Sequence, residues 1–116
     1  MKNGIDILNI KRFDYLKENN SFMDSVFNDE EILYFNKHEF RSETIAGVYC
    51  AKEAFLKCLK MGINNYPLKD ILILHDENGA PYIVLKGELK KIKYDSLAVS
   101  ISHDGDYACA IVTINI

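Results

Sequence analysis

The spacing of apolar positions changes along the chain and divides it into helical and extended stretches. A short apolar run, Gly4 to Leu8, is broken only by Asp6 and predicts a strand. Arg12 to Asn19 carries Phe13 and Leu16 three apart, a helical spacing, and Ser21 to Phe27 predicts another short helical turn. Asn28 followed by Glu31 has the form of a capping box ahead of Ile32, Leu33 and Phe35. The strongest signal runs from Ser42 to Lys60, where Ile45, Val48, Tyr49, Phe55, Leu56 and Leu59 recur at three, four and seven. Ser42 is the expected N-cap, Glu43 suits the positive end of the dipole, Lys57 and Lys60 the negative end, and Gly62 the stop. Such a helix spans about 28 Å and is the expected spine of the domain.

Beyond it the pattern becomes extended. Ile71 to Leu74 is an apolar run, and Asp76-Glu77-Asn78-Gly79 is a hairpin turn leading into Pro81 to Leu85. Gly87 to Lys93 predicts a short helix. Leu97 to Ile101 and Tyr107 to Ile114 flank the turn His103-Asp104-Gly105-Asp106 and predict a second hairpin. There is no internal repeat. The sum is an α+β domain: helices clustered early, antiparallel strands late, and one long helix packed on the sheet.

A length of 116 residues supports one domain, residues 1–116, and excludes a two-domain enzyme. With 48% apolar residues the chain can bury a core without metal or disulfide staples. Fourteen basic against seventeen acidic residues leave a net charge of −3, which argues against a nucleic-acid binder. No stretch is long and apolar enough to span a membrane, and Met1 to Asp6 lacks a signal-peptide core. Cys50, Cys58 and Cys109 are odd in number and form no C-x-x-C, so reduced thiols in a cytoplasmic protein are expected.

Few residues stand out as chemistry. Asp6 is a carboxylate in an apolar strand, costly unless paired, metal-bound or at an exposed end. Glu53 and Lys57 lie four apart on one helix face, a spacing that also describes an ordinary surface ion pair. Ser100-Ile101-Ser102-His103 offers hydroxyls and an imidazole before a turn, as a phosphate site or a solvated strand end. His38 and His75 read as surface residues, and no metal-ligand spacing joins the three histidines.

In their order along the chain, four segments resemble the holo-acyl-carrier-protein synthase family, the short 4′-phosphopantetheinyl transferases. They are Gly4-Ile5-Asp6-Ile7 with Lys11-Arg12; Ala46-Gly47-Val48-Tyr49-Cys50-Ala51-Lys52-Glu53-Ala54-Phe55-Leu56-Lys57; Asp70-Ile71 through Asn78-Gly79-Ala80-Pro81; and Val99-Ser100-Ile101-Ser102-His103 with Tyr107-Ala108. The second resembles the family helix A-G-x-x-A-x-K-E-A-x-x-K. The resemblance implies the 4′-phosphopantetheinyl transferase fold and transfer of phosphopantetheine from coenzyme A to a serine of an acyl carrier protein. Adenosine 3′,5′-bisphosphate is the implied second product.

By the same resemblance Asp6 and Glu53 hold Mg²⁺ against the coenzyme A pyrophosphate, and Lys57 stabilises phosphate or leaving-group charge. Glu53 or a metal-activated water takes the serine proton. Ser102 and His103 approach the coenzyme phosphates, and the backbone N–H groups of Asn78 and Gly79 face its 3′-phosphate. Lys11 and Arg12 meet the acidic carrier. A cytoplasmic homotrimer serving fatty-acid synthesis is implied, with sites between subunits and Asp6 of one protomer meeting Glu53 of the next. Val48 and Ser25 stand where the family often has arginine, and Ala80 where many members have lysine. These departures bear on docking and coenzyme affinity, and they motivate the alternative of a non-catalytic module that binds the carrier or coenzyme A.

Overall fold

The long helix is buried along most of its length, and the rest of the molecule is arranged about it. The computed structural model describes residues 1–59 and 66–116. The elements in chain order are β1 (Lys2–Asn9), α1 (Arg12–Leu16), α2 (Asn20–Val26), α3 (Asp29–Lys37), α4 (Ser42–Cys58), β2 (Ile71–His75), β3 (Pro81–Leu85), β4 (Ser96–Asp104) and β5 (Tyr107–Asn115). Two 3-10 turns, Leu68–Asp70 and Gly87–Lys91, precede β2 and follow β3.

The α+β class holds, but the strands form two sheets rather than one. β1, β5 and β4 make an antiparallel sheet in that order, and β2 and β3 make a separate ribbon. The first strand therefore closes on the last, with Lys2 opposite Ile114 and Asp6 opposite Ala110. Side chains alternate between faces. Gly4, Leu8, Ala108, Ala110, Val112 and Ile114 are buried on the α4 side, while Ile5 and Ile7 are 63% and 67% exposed on the other. Asp6 shares the inner face with Gly4 and Leu8.

Glycine sets how closely helix and sheet approach. A Cβ on Gly4 would overlap the Ala54 carbonyl and the Cys58 backbone N, and one on Gly47 would press on Ile101. The small side chains of Ala46, Cys50, Ala51 and Ala54 on α4 are all fully buried, completing a low-relief seam.

Local signals in the sequence account for most boundaries. The Asn28–Glu31 capping box forms in both directions and starts α3. The N-cap of α4 is Arg41, one residue earlier than expected. Ser42 is not the cap because its hydroxyl donates to Asp14 of α1 instead. The expected helix end at Lys60 and its Gly62 stop lie outside the described residues. Gly87 to Lys91 forms a 3-10 turn, and β4 runs through His103 and Asp104, so the second hairpin turns at Gly105, with φ of 57°. Among the described residues no helix is long and apolar enough to cross a membrane.

Candidate active site

Close packing of β1 on α4 brings Asp6 against two residues of the helix, Lys57 and Cys50. Lys57 Nζ donates to Asp6 Oδ1 at 2.8 Å. The Cys50 thiol donates to the Asp6 carbonyl at 3.1 Å and lies 3.4 Å from Oδ2. Glu53 stands one turn before Lys57, half-buried, and acts electrostatically on Cys50, Lys57 and Tyr49, as Asp6 does. Lys57 therefore reaches across to the strand and is not an isolated partner of Glu53.

The electrostatics follow from this geometry. Lys57 is held above its usual range, first by its hydrogen bond to Asp6, and stays charged. Burial, then the Asp6 charge, pushes the Cys50 thiol well up. It is a hydrogen-bond donor here and not a nucleophile. Burial, then Glu53, likewise keeps the Tyr49 hydroxyl protonated. The Arg12 charge opposes that shift, which puts the first residue of α1 within electrostatic reach of the same cluster.

A cleft of about 200 Å³ opens over the N-terminal half of α4. Glu43, Gly47 and Val48 of α4 line it together with Tyr34 of α3, His75, Gly79 and Pro81 of the β2–β3 hairpin, and His103 of β4. His103 Nδ1 is 3.7 Å from Glu43 Oε2, which draws the imidazole toward the start of the helix. Tyr34 stacks on His75 with parallel rings 4.0 Å apart. His75 is thus half-buried, contrary to the surface reading, and its Nδ1 has no hydrogen-bond partner among the described residues.

The N–H groups at the hairpin are already used: Asn78 N and Ala80 N donate to Asp76 Oδ1 at 2.8 and 2.9 Å, and Gly79 N donates to the Asp76 carbonyl at 3.0 Å. In this structure Asn78 N thus faces the Asp76 side chain and Gly79 N the Asp76 carbonyl. Gly79 remains a wall of the cleft. Ser102 points to the opposite sheet face from its neighbours in β4, beside Ile7, Tyr107 and Cys109, while His103 lies at the edge of both clefts. Strand alternation forbids Ser102 and Ile101 from sharing a face.

Lys11 and Arg12 are both exposed at the start of α1. Lys11 is 3.4 Å from Asp106, a pair that tethers it to the β4–β5 turn. Of the three departures, Val48 is buried in the cleft wall, whereas Ser25 and Ala80 are exposed. Sequence reasoning missed the positional roles of Gly4 and Cys50. The signal was present for Gly4, a glycine at an inward strand position beside a helix rich in small residues.

The comparisons with known proteins identify the family. The family model described as the 4′-phosphopantetheinyl transferase superfamily matches residues 3–112. A holo-[acyl-carrier-protein] synthase of Clostridium tetani is 45% identical over 112 residues, covering 92% of this chain and 89% of that protein. The crystal structure of the Helicobacter pylori holo-[acyl-carrier-protein] synthase in complex with coenzyme A superposes with a TM-score of 0.86 at 32% identity, covering 97% of this chain and 99% of that one. A Bacillus anthracis holo-(acyl-carrier-protein) synthase in complex with CoA (3′,5′-ADP) superposes with a TM-score of 0.80 at 28% identity, over 97% and 94% of the two chains.

Proposed function

The chain belongs to the 4′-phosphopantetheinyl transferase superfamily, and from that premise we propose how its residues divide the work of a holo-acyl-carrier-protein synthase. The enzyme moves 4′-phosphopantetheine from coenzyme A to an apo acyl carrier protein, a step of fatty-acid biosynthesis. In our reading a serine oxygen of the carrier forms a bond to the phosphorus nearer the pantetheine. The pyrophosphate P–O bond breaks, adenosine 3′,5′-bisphosphate leaves, and the serine proton passes to a base.

The meeting of Asp6 with α4 is the observation that carries the assignment of roles. Among the described residues no three His, Cys, Asp or Glu side chains gather as a metal cage. Asp6 and Glu53 are hard oxygen donors that both act electrostatically on Lys57. That set suits magnesium, which takes one or two protein carboxylates and fills its other positions with substrate phosphates and water. Bound by Asp6 and Glu53, the cation would neutralise charge on the pyrophosphate. In this reading Glu53, or a water activated by the cation, accepts the serine proton. Lys57 is about half exposed and charged, so it can turn from Asp6 to a phosphate oxygen or the leaving group.

The cleft between α4, α3 and the hairpin suits the nucleotide end of coenzyme A, with His103 at its mouth. Exposed Lys11 and Arg12, the latter near Tyr49, suit an acidic carrier approaching the α1 side. We read the outer sheet face, with Ile5, Ile7 and Ile111 exposed, as the contact between copies of a cytoplasmic homotrimer.

The reading is tested by incubating the protein with coenzyme A, Mg²⁺ and an apo carrier and recording the carrier's intact mass. A gain of one phosphopantetheine, lost in EDTA, is the expected result. A carrier unchanged in the presence of Mg²⁺ contradicts the reading and favours a module that only binds.

A further inference from the structure

A lysine and a glutamate that the proposed reaction does not use are the two fully buried charged side chains among the described residues. Lys52 and Glu31 are 0% and 1% exposed and pair at 2.8 Å. Lys52 Nζ donates to Glu31 Oε1, to the Leu68 carbonyl at 2.8 Å and to the Ile71 carbonyl at 2.6 Å, which uses its three protons. Glu31 Oε1 also accepts Asn28 N at 2.9 Å, and Oε2 accepts Ile73 N at 3.0 Å. The Phe27 ring lies 5.4 Å from Nζ.

The pair joins elements that the backbone leaves separate. The β2–β3 ribbon shares no strand hydrogen bonds with the β1–β5–β4 sheet. Its outward edge, the Ile71 carbonyl and the Ile73 N–H, is closed by these two side chains and not by another strand. Glu31 belongs to α3, Lys52 to α4 and Ile73 to the hairpin strand. Those three elements are also three walls of the cleft, through Tyr34, Gly47 and Val48, and His75 and Gly79. Lys52 directly precedes Glu53, so burying it turns Glu53 by about 100° round the helix.

We propose that Lys52 and Glu31 are positioning residues that fix the hairpin and α3 against α4 and so set the width of the coenzyme-binding cleft. The proposal rests on the reading that this cleft takes coenzyme A. Isolated buried charge is expensive, and here every polar atom of the pair is hydrogen-bonded, with partners on α3, α4, β2 and the 3-10 turn before it. An apolar contact of equal size would fill the volume without fixing the hairpin's register on α4.

The test uses Lys52→Met/Glu31→Gln, which removes both charges and keeps an acceptor for Ile73 N, with Glu31→Gln alone as a second variant that keeps the lysine in place. Folding is checked by circular dichroism and a cooperative melt. Direct titration of coenzyme A by calorimetry accompanies steady-state kinetics. In folded variants KM for coenzyme A rises by about tenfold, while KM for the carrier stays within about twofold. A smaller folded fraction would lower apparent kcat and leave both KM values alone. That result, or an unchanged coenzyme KM, overturns the proposal, as does failure of both variants to fold. If wild-type protein does not bind coenzyme A, the parent reading fails. If wild type and variants bind it equally well, only the positioning role fails.

Discussion

Helix α4 carries two lysine–carboxylate pairs with the same 2.8 Å separation, and they differ in nearly everything else. Lys52 and Glu31 are wholly buried, with their polar atoms consumed by the protein. Lys57 and Asp6 lie 55% and 11% exposed, and Glu53 stands beside them on the solvent-facing side. Distance does not distinguish a structural pair from a reactive one here. What distinguishes them is whether hydrogen-bonding capacity is left over for a substrate.

The widest separation of the two pairs comes from truncating each lysine. Lys52→Ala leaves Glu31 buried and unpaired and is expected to cost about 3–5 kcal/mol of stability. Lys57→Ala removes a half-exposed partner and is expected to cost less than about 1 kcal/mol, while turnover falls. Denaturant melts of the two variants check this, and equal losses would erase the distinction.

A smaller effect probes how the reactive pair is brought together. Gly4→Ala places a methyl against the Ala54 carbonyl and Cys58 backbone, and overpacking of this kind costs about 1–3 kcal/mol. Because β1 must shift away from α4, Asp6 moves with it, and turnover is expected to fall in protein that still melts cooperatively. Full activity in that variant would show that the close approach does not position Asp6.

The smallest effect concerns a polar group with no partner. Burial, then the charge of His38, holds His75 below its usual value of 6.5. The folded state therefore takes up this proton less readily than the unfolded chain. The corresponding stability is full above about pH 6.5 and is lost as pH falls through the lowered folded value. His75→Phe keeps a ring against Tyr34 and should flatten that part of the pH–stability curve. An unchanged curve would mean that His75 is not its source.

Much of this was legible in the sequence because it is local. The capping box at Asn28 and Glu31, the periodic run of α4 and both hairpins depend on residues a few positions apart. The pairing of Asp6 with Lys57 was approached only through family resemblance, since 51 residues separate them. Lys52 was not legible as buried. Its partners are Glu31 and two backbone carbonyls at Leu68 and Ile71, which no local pattern announces. The hydrogen bonds of the hairpin turn were likewise not announced: Asn78 N donates to the Asp76 side chain and Gly79 N to its carbonyl. The placement of Ser102 was available from strand alternation alone, which sets it opposite Ile101 and its inward-facing neighbours.

The most direct test is the intact mass of an apo carrier after incubation with coenzyme A, Mg²⁺ and either the wild-type protein or Glu53→Gln. The account predicts one added phosphopantetheine with wild type. With Glu53→Gln it predicts a rate lower by about 10²- to 10⁴-fold at an unchanged melting temperature. Equal modification by both proteins would contradict it, because the open carboxylate beside Lys57 would then have no part in the transfer.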